Sequence, residues 1–484
     1  MRYPTLRQAI AALLVIASIA CRAQDNSCDC GTHFDFVKSY MERNHAAFRD
    51  NVPGDRRAAY AKFCADISAV ILKDHCKTHC SYFIDRYLKY FKDRHIYIEE
   101  TFPSIDDQDT AAVNLFRQSY AFMHTERMVL DSQAMERLKH RKGDEIEGVY
   151  YSFPSDNYTI AVIKSSGCYK GVIIESSTKL WERGQVKFIL SPILSPGKDP
   201  VFSVRLYLRD HSLQQKTVHF NTGTLTELFL SKNRQNAIKS AIPFEFRRLN
   251  ENTHYLKVGS FNGPLFNLLD SCYKVHARQI TESPYLVIDI RDNGGGADKC
   301  YQGLIDFAYT HPIANDIGEI YVTPDNLQVY QHELDKILAD SVAYGEGAAD
   351  DMRSYIKKMQ RAKLYTFAAM DNDRVSYNTR DTVFANPRKI VVLYNRNTAS
   401  SAESFILDAM QSRKVITAGE NSGGYLGYGN VFAVAVPHSN MTLGCTTIRY
   451  RKRRKLEGVG IPPMVPLNPE TDWVAEALKI LDRR

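Results

Sequence analysis

Nothing in this chain is long and uniform, and nothing in it is one-sided. Beyond the first two dozen residues no apolar run is long enough to span a bilayer, which argues against an integral membrane span. There is no internal repeat and no low-complexity tract, so solenoids and disordered tails are set aside. With 62 basic residues against 55 acidic ones, the chain lacks the excess of one sign that draws nucleic acid, and no nucleic-acid partner is expected. Zinc-finger spacing is missing too. His75-Cys76 and His79-Cys80 stand i, i+4 on adjacent helix stripes, but no second ligand pair follows at finger spacing, so no metal is expected. Both Gly-x-Gly-x-x-Gly and Gly-Lys-Ser/Thr are absent, which leaves the phosphate loops without a candidate, and no organic cofactor is expected.

What is present begins with a basic head, Met1 to Arg7, then the apolar stretch Ala9 to Ala20 and small residues up to Ala23. That order describes a secretory signal peptide over 1–23, cleaved near Ala23, and hence a periplasmic or secreted protein. Ser18-Ile-Ala-Cys21 also resembles a lipidation box, which keeps a lipid anchor at Cys21 open. Discounting Arg2, Arg7 and Arg22 takes the formal charge from +7 to +4. Ten cysteines become nine once Cys21 is discounted. An odd number in an exported chain implies one free thiol, and five of the nine lie between positions 28 and 80, where disulfides would staple the N-terminal region.

The 484 residues exceed what one hydrophobic core serves, so two or three domains are expected. Helical spacing of Phe34, Val37, Tyr40, Ile67 and Ile71, resumed from about 106, predicts a helical N-terminal module over 24–140. Short β-branched and aromatic runs such as Tyr158 to Ile163, Gly171 to Ile174 and Val186 to Leu190 predict a β-rich domain over 141–240, either separate or continuous with the core. A β-helix-β rhythm follows over 241–484, the mark of an α/β core, with a charged helical insertion at about 326–370.

Two strand ends in that core carry chemistry. Tyr285 to Arg291 runs into Asp292-Asn-Gly-Gly-Gly296, whose glycines permit positive φ and bare N–H donors; a tight turn alone would also explain them. Ile390 to Tyr394 leads into Asn397-Thr-Ala-Ser400-Ser-Ala-Glu403 at the start of a helix. There the partial positive end favours an oxyanion, although Ser400 with Glu403 three residues on also reads as a capping box.

Together with Ala418-Gly-Glu-Asn-Ser-Gly-Gly424 and Leu456-Glu-Gly-Val-Gly-Ile-Pro462, these segments resemble, in order, the signature of the carboxyl-terminal processing peptidases and their tricorn-core relatives, over roughly 243–470. The resemblance implies a ClpP/crotonase-like α/β peptidase core and hydrolysis of a protein or peptide substrate through an acyl-enzyme. It implies Ser400 as nucleophile, the Ser401 amide as one oxyanion donor, and Gly294 or Gly295 as the other. The lysine that one branch carries in a Phe-Gly-Lys-Gly turn is missing, and Tyr425 stands in its place. The tricorn-like branch draws its histidine from an Asp-x-His motif and a glutamate from the last segment, which here are Asp93-Arg-His95 and Glu457. That branch implies a Ser400-His95-Glu457 triad.

Where the family usually has Pro-Asp, this chain has Pro462-Pro463, read as a lost structural contact. The run Arg449-Tyr-Arg-Lys-Arg-Arg-Lys455 reads as a solvated strand face or as a surface for acidic substrate; Lys455 is the one substitute base kept, and Tyr425 and Lys455 are candidate substrate contacts. Many family members carry a peptide-binding PDZ module where 146–220 lie, but no Gly-Leu-Gly-Phe type loop occurs, so a β-barrel or PDZ-like domain without an assigned ligand is expected. The rival expectation is an inactive peptide-binding or envelope scaffold that keeps the fold.

Overall fold

The computed structural model describes residues 30–482 except 74–79, 101–104, 142–144, 154–156, 194–199, 212, 222, 226–227, 234–243, 341–343, 345–346 and 372. The expected signal peptide, Cys21, and the His75, Cys76 and His79 cluster lie outside the described residues.

The core is a six-stranded sheet ordered Phe244–Asn250, Thr253–Val258, Tyr285–Asp289, Lys389–Tyr394, Val415–Gly419, Val465–Pro466. Its first pair is antiparallel and the rest are parallel. The period-2 alternation of a strand decides the two faces. Leu286, Ile288, Ile390 and Val392 meet helices Phe266–Glu282, Gln302–Ala308 and Ser401–Ala409, while Val287, Val391 and Leu393 meet helix Trp473–Asp482 on the other side. A central strand wrapped on both faces must be apolar throughout, which is why Lys389–Tyr394 reads Ile-Val-Val-Leu-Tyr after its lysine. Each such fully buried aliphatic contributes about 1.5–3 kcal/mol. The chain is therefore a mixed α/β, multidomain protein with a helical N-terminal region.

A second sheet joins distant parts of the sequence. Strand Met441–Tyr450 pairs with Tyr97–Glu100, with Gly318–Tyr321 and with Tyr428–Ala435. The N-terminal helices Cys30–Asn44, Arg57–Lys73 and Cys80–Leu88, joined by a Cys30–Cys80 disulfide, bury Phe34, Tyr87 and Phe91 against Met441, Leu443 and Cys445 of that sheet. This docking carries Asp93 and His95 onto the core. Among the described residues Cys64, Cys168, Cys272, Cys300 and Cys445 are free thiols.

Between these parts stands a closed barrel of eight strands, from Gly148–Ser152 to Leu230–Ser231, with the last pairing back on the first. Tyr150, Ile160, Ile173, Phe188, Phe202 and Phe220 fill its interior. The helical stretch before it is cut into Thr110–Arg117, Tyr120–His124 and Ser132–Lys139, because Asp109, Ser119 and Asp131 each cap a new N-terminus with the side chain. In the expected insertion, helices Pro324–Ala339 and Ala348–Arg361 are followed by strand Phe367–Ala369, which pairs with Gly318–Tyr321.

Candidate active site

Two parallel neighbours, Tyr285–Asp289 and Lys389–Tyr394, end side by side and release their loops at the same edge. The Asn293 carbonyl accepts from Ala399 N at 3.0 Å and Thr398 Oγ1 donates to the Ile290 carbonyl at 2.9 Å, so the glycine turn and the serine loop are bonded to each other. Ser400 sits at φ 55°, ψ −122° at the start of helix Ser401–Ala409. A non-glycine residue there is strained by about 1–3 kcal/mol, a cost that surrounding bonds must offset.

Glu403 supplies much of that restraint. It is fully buried, and its carboxylate accepts from Ser400 N at 2.9 Å and Tyr425 N at 2.7 Å on one oxygen, and from Gly424 N at 2.7 Å and the Ser422 hydroxyl on the other. Its capping role was visible in the sequence. Its grip on the 422–425 turn was not, since four donors from two loops meet only in the fold.

His95 Nε2 lies 3.1 Å from Ser400 Oγ although the two residues are 305 positions apart in sequence. Burial lowers the His95 pKa below the ordinary imidazole value, against the raising effects of the Asp93 and Glu403 carboxylates. The imidazole is thereby held in its neutral, proton-accepting form. Tyr425 stands edge-on to the ring at 5.5 Å between centroids, and the Arg94 guanidinium lies over the Tyr425 ring at 5.6 Å. Burial raises the phenol above 10, so Tyr425 walls the histidine as a neutral ring.

The three candidate oxyanion donors divide. Ser401 N, in the first turn of its helix, and Gly294 N make no hydrogen bond among the described residues. Gly295 departs from the expectation: its N–H donates to Asn293 Oδ1 at 2.9 Å. What Gly295 contributes is the absence of a side chain, for a Cβ there would stand 2.6 Å from the Ala399 carbonyl and 2.8 Å from Ser400 Cβ.

Glu457 also departs from its expected contact. It makes no hydrogen bond to the imidazole. Its carboxylate accepts instead from the backbone amides of Arg94 at 2.9 Å, Leu426 at 3.0 Å and Gly427 at 2.6 Å. Burial and the neighbouring Asp93 carboxylate push its pKa up to about 7 against the lowering effect of those amides. The side chain facing His95 Nδ1 more closely is Asp93, at 3.8 Å. Asp93, His95 and Glu457 each place a ligand-type atom within 4.8 Å of the others. The Asp93 and Glu457 oxygens already accept from backbone amides, His45 and the Thr446 hydroxyl.

Lys455 is exposed and no contact ties it to Ser400. The basic run around it is solvated only in part, at Arg451, Lys452 and Lys455. Arg449 pairs with Glu319 at 2.8 Å and with Asp50 at 2.8 Å, Arg451 with Glu319 at 2.7 Å, and Arg454 with Asp50 at 2.7 Å. Arg453 is mostly buried and donates to Ser404 Oγ at 3.0 Å. These cations tie the N-terminal helices and the 318–321 strand to the core. The sequence could not separate this from a surface patch, because the paired acids lie hundreds of residues upstream.

Residues 252–467 match the model of peptidase family S41. No curated protein sequence matches the chain. Among solved structures it is similar to a protein from Parabacteroides merdae ATCC 43184 assigned as a peptidase, at 17% identity over 50% of this chain and 65% of that one, with a TM-score of 0.34. It is also similar to the photosystem II D1 C-terminal processing protease, at 14% identity over 92% and 95% of the two chains and a TM-score of 0.35. A third likeness is to mature CPAF, at 10% identity over 90% and 93% and a TM-score of 0.45. Among the described residues no helix is long and apolar enough to cross a membrane.

Proposed function

We propose that the chain is an exported serine endopeptidase, of the processing-peptidase kind, that cleaves peptide bonds through an acyl-enzyme on Ser400. The observation that carries the reading is the 3.1 Å approach of His95 Nε2 to the hydroxyl of a strained, helix-capping serine. His95 takes the Ser400 proton as Oγ attacks the scissile carbonyl, then gives it to the leaving amine; a water, activated by the same imidazole, releases the acyl group. The Ser401 and Gly294 amides receive the oxyanion, each worth about 3 kcal/mol in the transition state. Glu457 acts on the imidazolium through space and holds the Arg94 backbone beside it. Tyr425 shields the imidazole from water. The match of residues 252–467 to peptidase family S41 supports the peptidase reading, and the site geometry is what favours an active enzyme over a scaffold that keeps the fold.

Export rests on the N-terminal pattern of residues 1–23, and a lipid anchor at Cys21 is its alternative form. The test is labelling by a fluorophosphonate, expected for the wild type and lost in Ser400→Ala. Folded wild-type protein that takes no label between about pH 6 and 9 would favour the scaffold.

A further inference from the structure

His45 follows directly on helix Cys30–Asn44 and is fully buried, 48 residues before Asp93. Its ring packs edge-on against Phe91 at 5.2 Å and lies 6.3 Å from the Tyr428 ring. Its Nε2 donates to Asp93 Oδ2 at 2.9 Å. The Thr446 hydroxyl donates to the same oxygen at 2.6 Å, and the other oxygen accepts from His95 N at 2.9 Å and faces His95 Nδ1 at 3.8 Å. Among the described residues Nδ1 of His95 has no other partner. Four side chains thus stand in line, His45, Asp93, His95 and Ser400, contributed by two segments of the N-terminal region and one of the core.

Resting on the assignment of Ser400 and His95 above, we infer that Asp93 is the carboxylate that orients and charge-compensates the catalytic imidazole, and that His45 is a positioning residue that holds Asp93 for that task. A general base works only in the tautomer with its proton on Nδ1, and a carboxylate facing Nδ1 selects that tautomer and steadies the imidazolium. Asp93 can do so because its outer oxygen is tied down by His45 and Thr446, leaving the inner one for His95. The 3.8 Å separation is of the kind that shortens in the Michaelis complex.

Glu457 is less suited. Its oxygens are already shared among three amides, and with its carboxyl pushed up to about 7 it is partly protonated at neutral pH. Asp93 goes the other way. Burial alone would raise it, but the His45 bond, the electrostatic pull of the His45 and His95 rings and the Thr446 bond hold it below the ordinary carboxylate range. The groups facing His95 are accordingly Asp93 from its own segment, Glu403 and Tyr425 from the serine helix and its turn, and Glu457 from the last segment.

The experiment measures fluorophosphonate labelling rate against pH, with kcat and KM on casein-derived peptides, for full-length His45→Phe, His45→Gln, Asp93→Asn, Glu457→Gln and Ser400→Ala. His45→Phe is expected to lower kcat about 10- to 100-fold with little change in KM, and His45→Gln, whose amide can reach Asp93, to restore most of it. Asp93→Asn is expected to lose about 10³- to 10⁴-fold, at least tenfold more than Glu457→Gln. Because the Asp93 charge raises the His95 pKa, its removal should move the acid limb of the profile to lower pH. A folded His45→Phe enzyme with wild-type kcat overturns the inference. If that variant does not fold, the Asp93→Asn and Glu457→Gln pair decides: a larger loss in Glu457→Gln, or an unmoved acid limb in Asp93→Asn, overturns it as well. Label retained by Ser400→Ala instead removes the underlying assignment, and the inference with it.

Discussion

Glu403→Gln tests whether the strained serine is held as described. The carboxylate takes two donors on each oxygen, all from buried or half-buried groups. Glutamine keeps the shape but turns one acceptor into a donor. If its amide faces Ser400 N and Tyr425 N, two N–H groups lose their acceptor. If it faces the other way, the Ser422 hydroxyl must accept from it while it already accepts from Ile461 N at 2.7 Å, and Gly424 N is stranded. Each stranded donor costs about 1–3 kcal/mol, and the lost charge weakens the bonds that remain. The sum is about 2–5 kcal/mol, or roughly 5–15 °C in Tm for a unit of this size.

Thermal unfolding followed by circular dichroism reads the stability, and fluorophosphonate labelling reads the nucleophile, which should slow as the Ser400 backbone relaxes. The Glu403 charge also raises the His95 pKa, so the acid limb of labelling should move to lower pH. A variant with Tm within about 1 °C of wild type and an unchanged labelling profile would refute the account of Glu403 as the restraint on Ser400.

Gly295→Ala should abolish labelling while leaving a folded core, because its Cβ meets Ser400 Cβ at 2.8 Å in a backbone at φ 91°; labelling at the wild-type rate would show that the turn yields. Because burial lowers His95, wild-type kcat/KM should hold its plateau below pH 6.5, and an acid limb above that value in a pH–rate profile contradicts it. Glu457 is raised from 4.5 to about 7 in the folded protein, so it stabilises most below 4.5 and loses that contribution as pH rises through 7. The gap is worth about 3 kcal/mol at most, and urea unfolding of Glu457→Gln should show a shallower fall in stability between pH 5 and 8 than wild type. Arg453→Met removes a charge that lowers the buried Asp408 carboxyl and the donor to Ser404 Oγ, and should cost about 1–3 kcal/mol in the same unfolding assay.

Short-range physics explains which parts of this were legible. The α/β core was readable because a parallel strand buried on both faces must be a continuous apolar run, as Lys389–Tyr394 is. Ser400, Glu403 and the glycine turn were readable because a strand-to-helix elbow needs a cap and small residues within a few positions. The use of each glycine was not: the Gly294 amide is free among the described residues while Gly295 makes room, a distinction set by the Asn293 side chain. The basic run 449–455 looked solvated because its acids, Asp50 and Glu319, are far away in the chain.

The sequence by itself determined the class of chain and singled out Ser400 and His95 as candidates, since these live in local patterns of turn, cap and motif. Only the tertiary structure decided what stands behind that histidine. Asp93 meets His45 across 48 residues and Thr446 across 353, and such contacts follow from how the helical region docks on the second sheet rather than from any spacing along the chain.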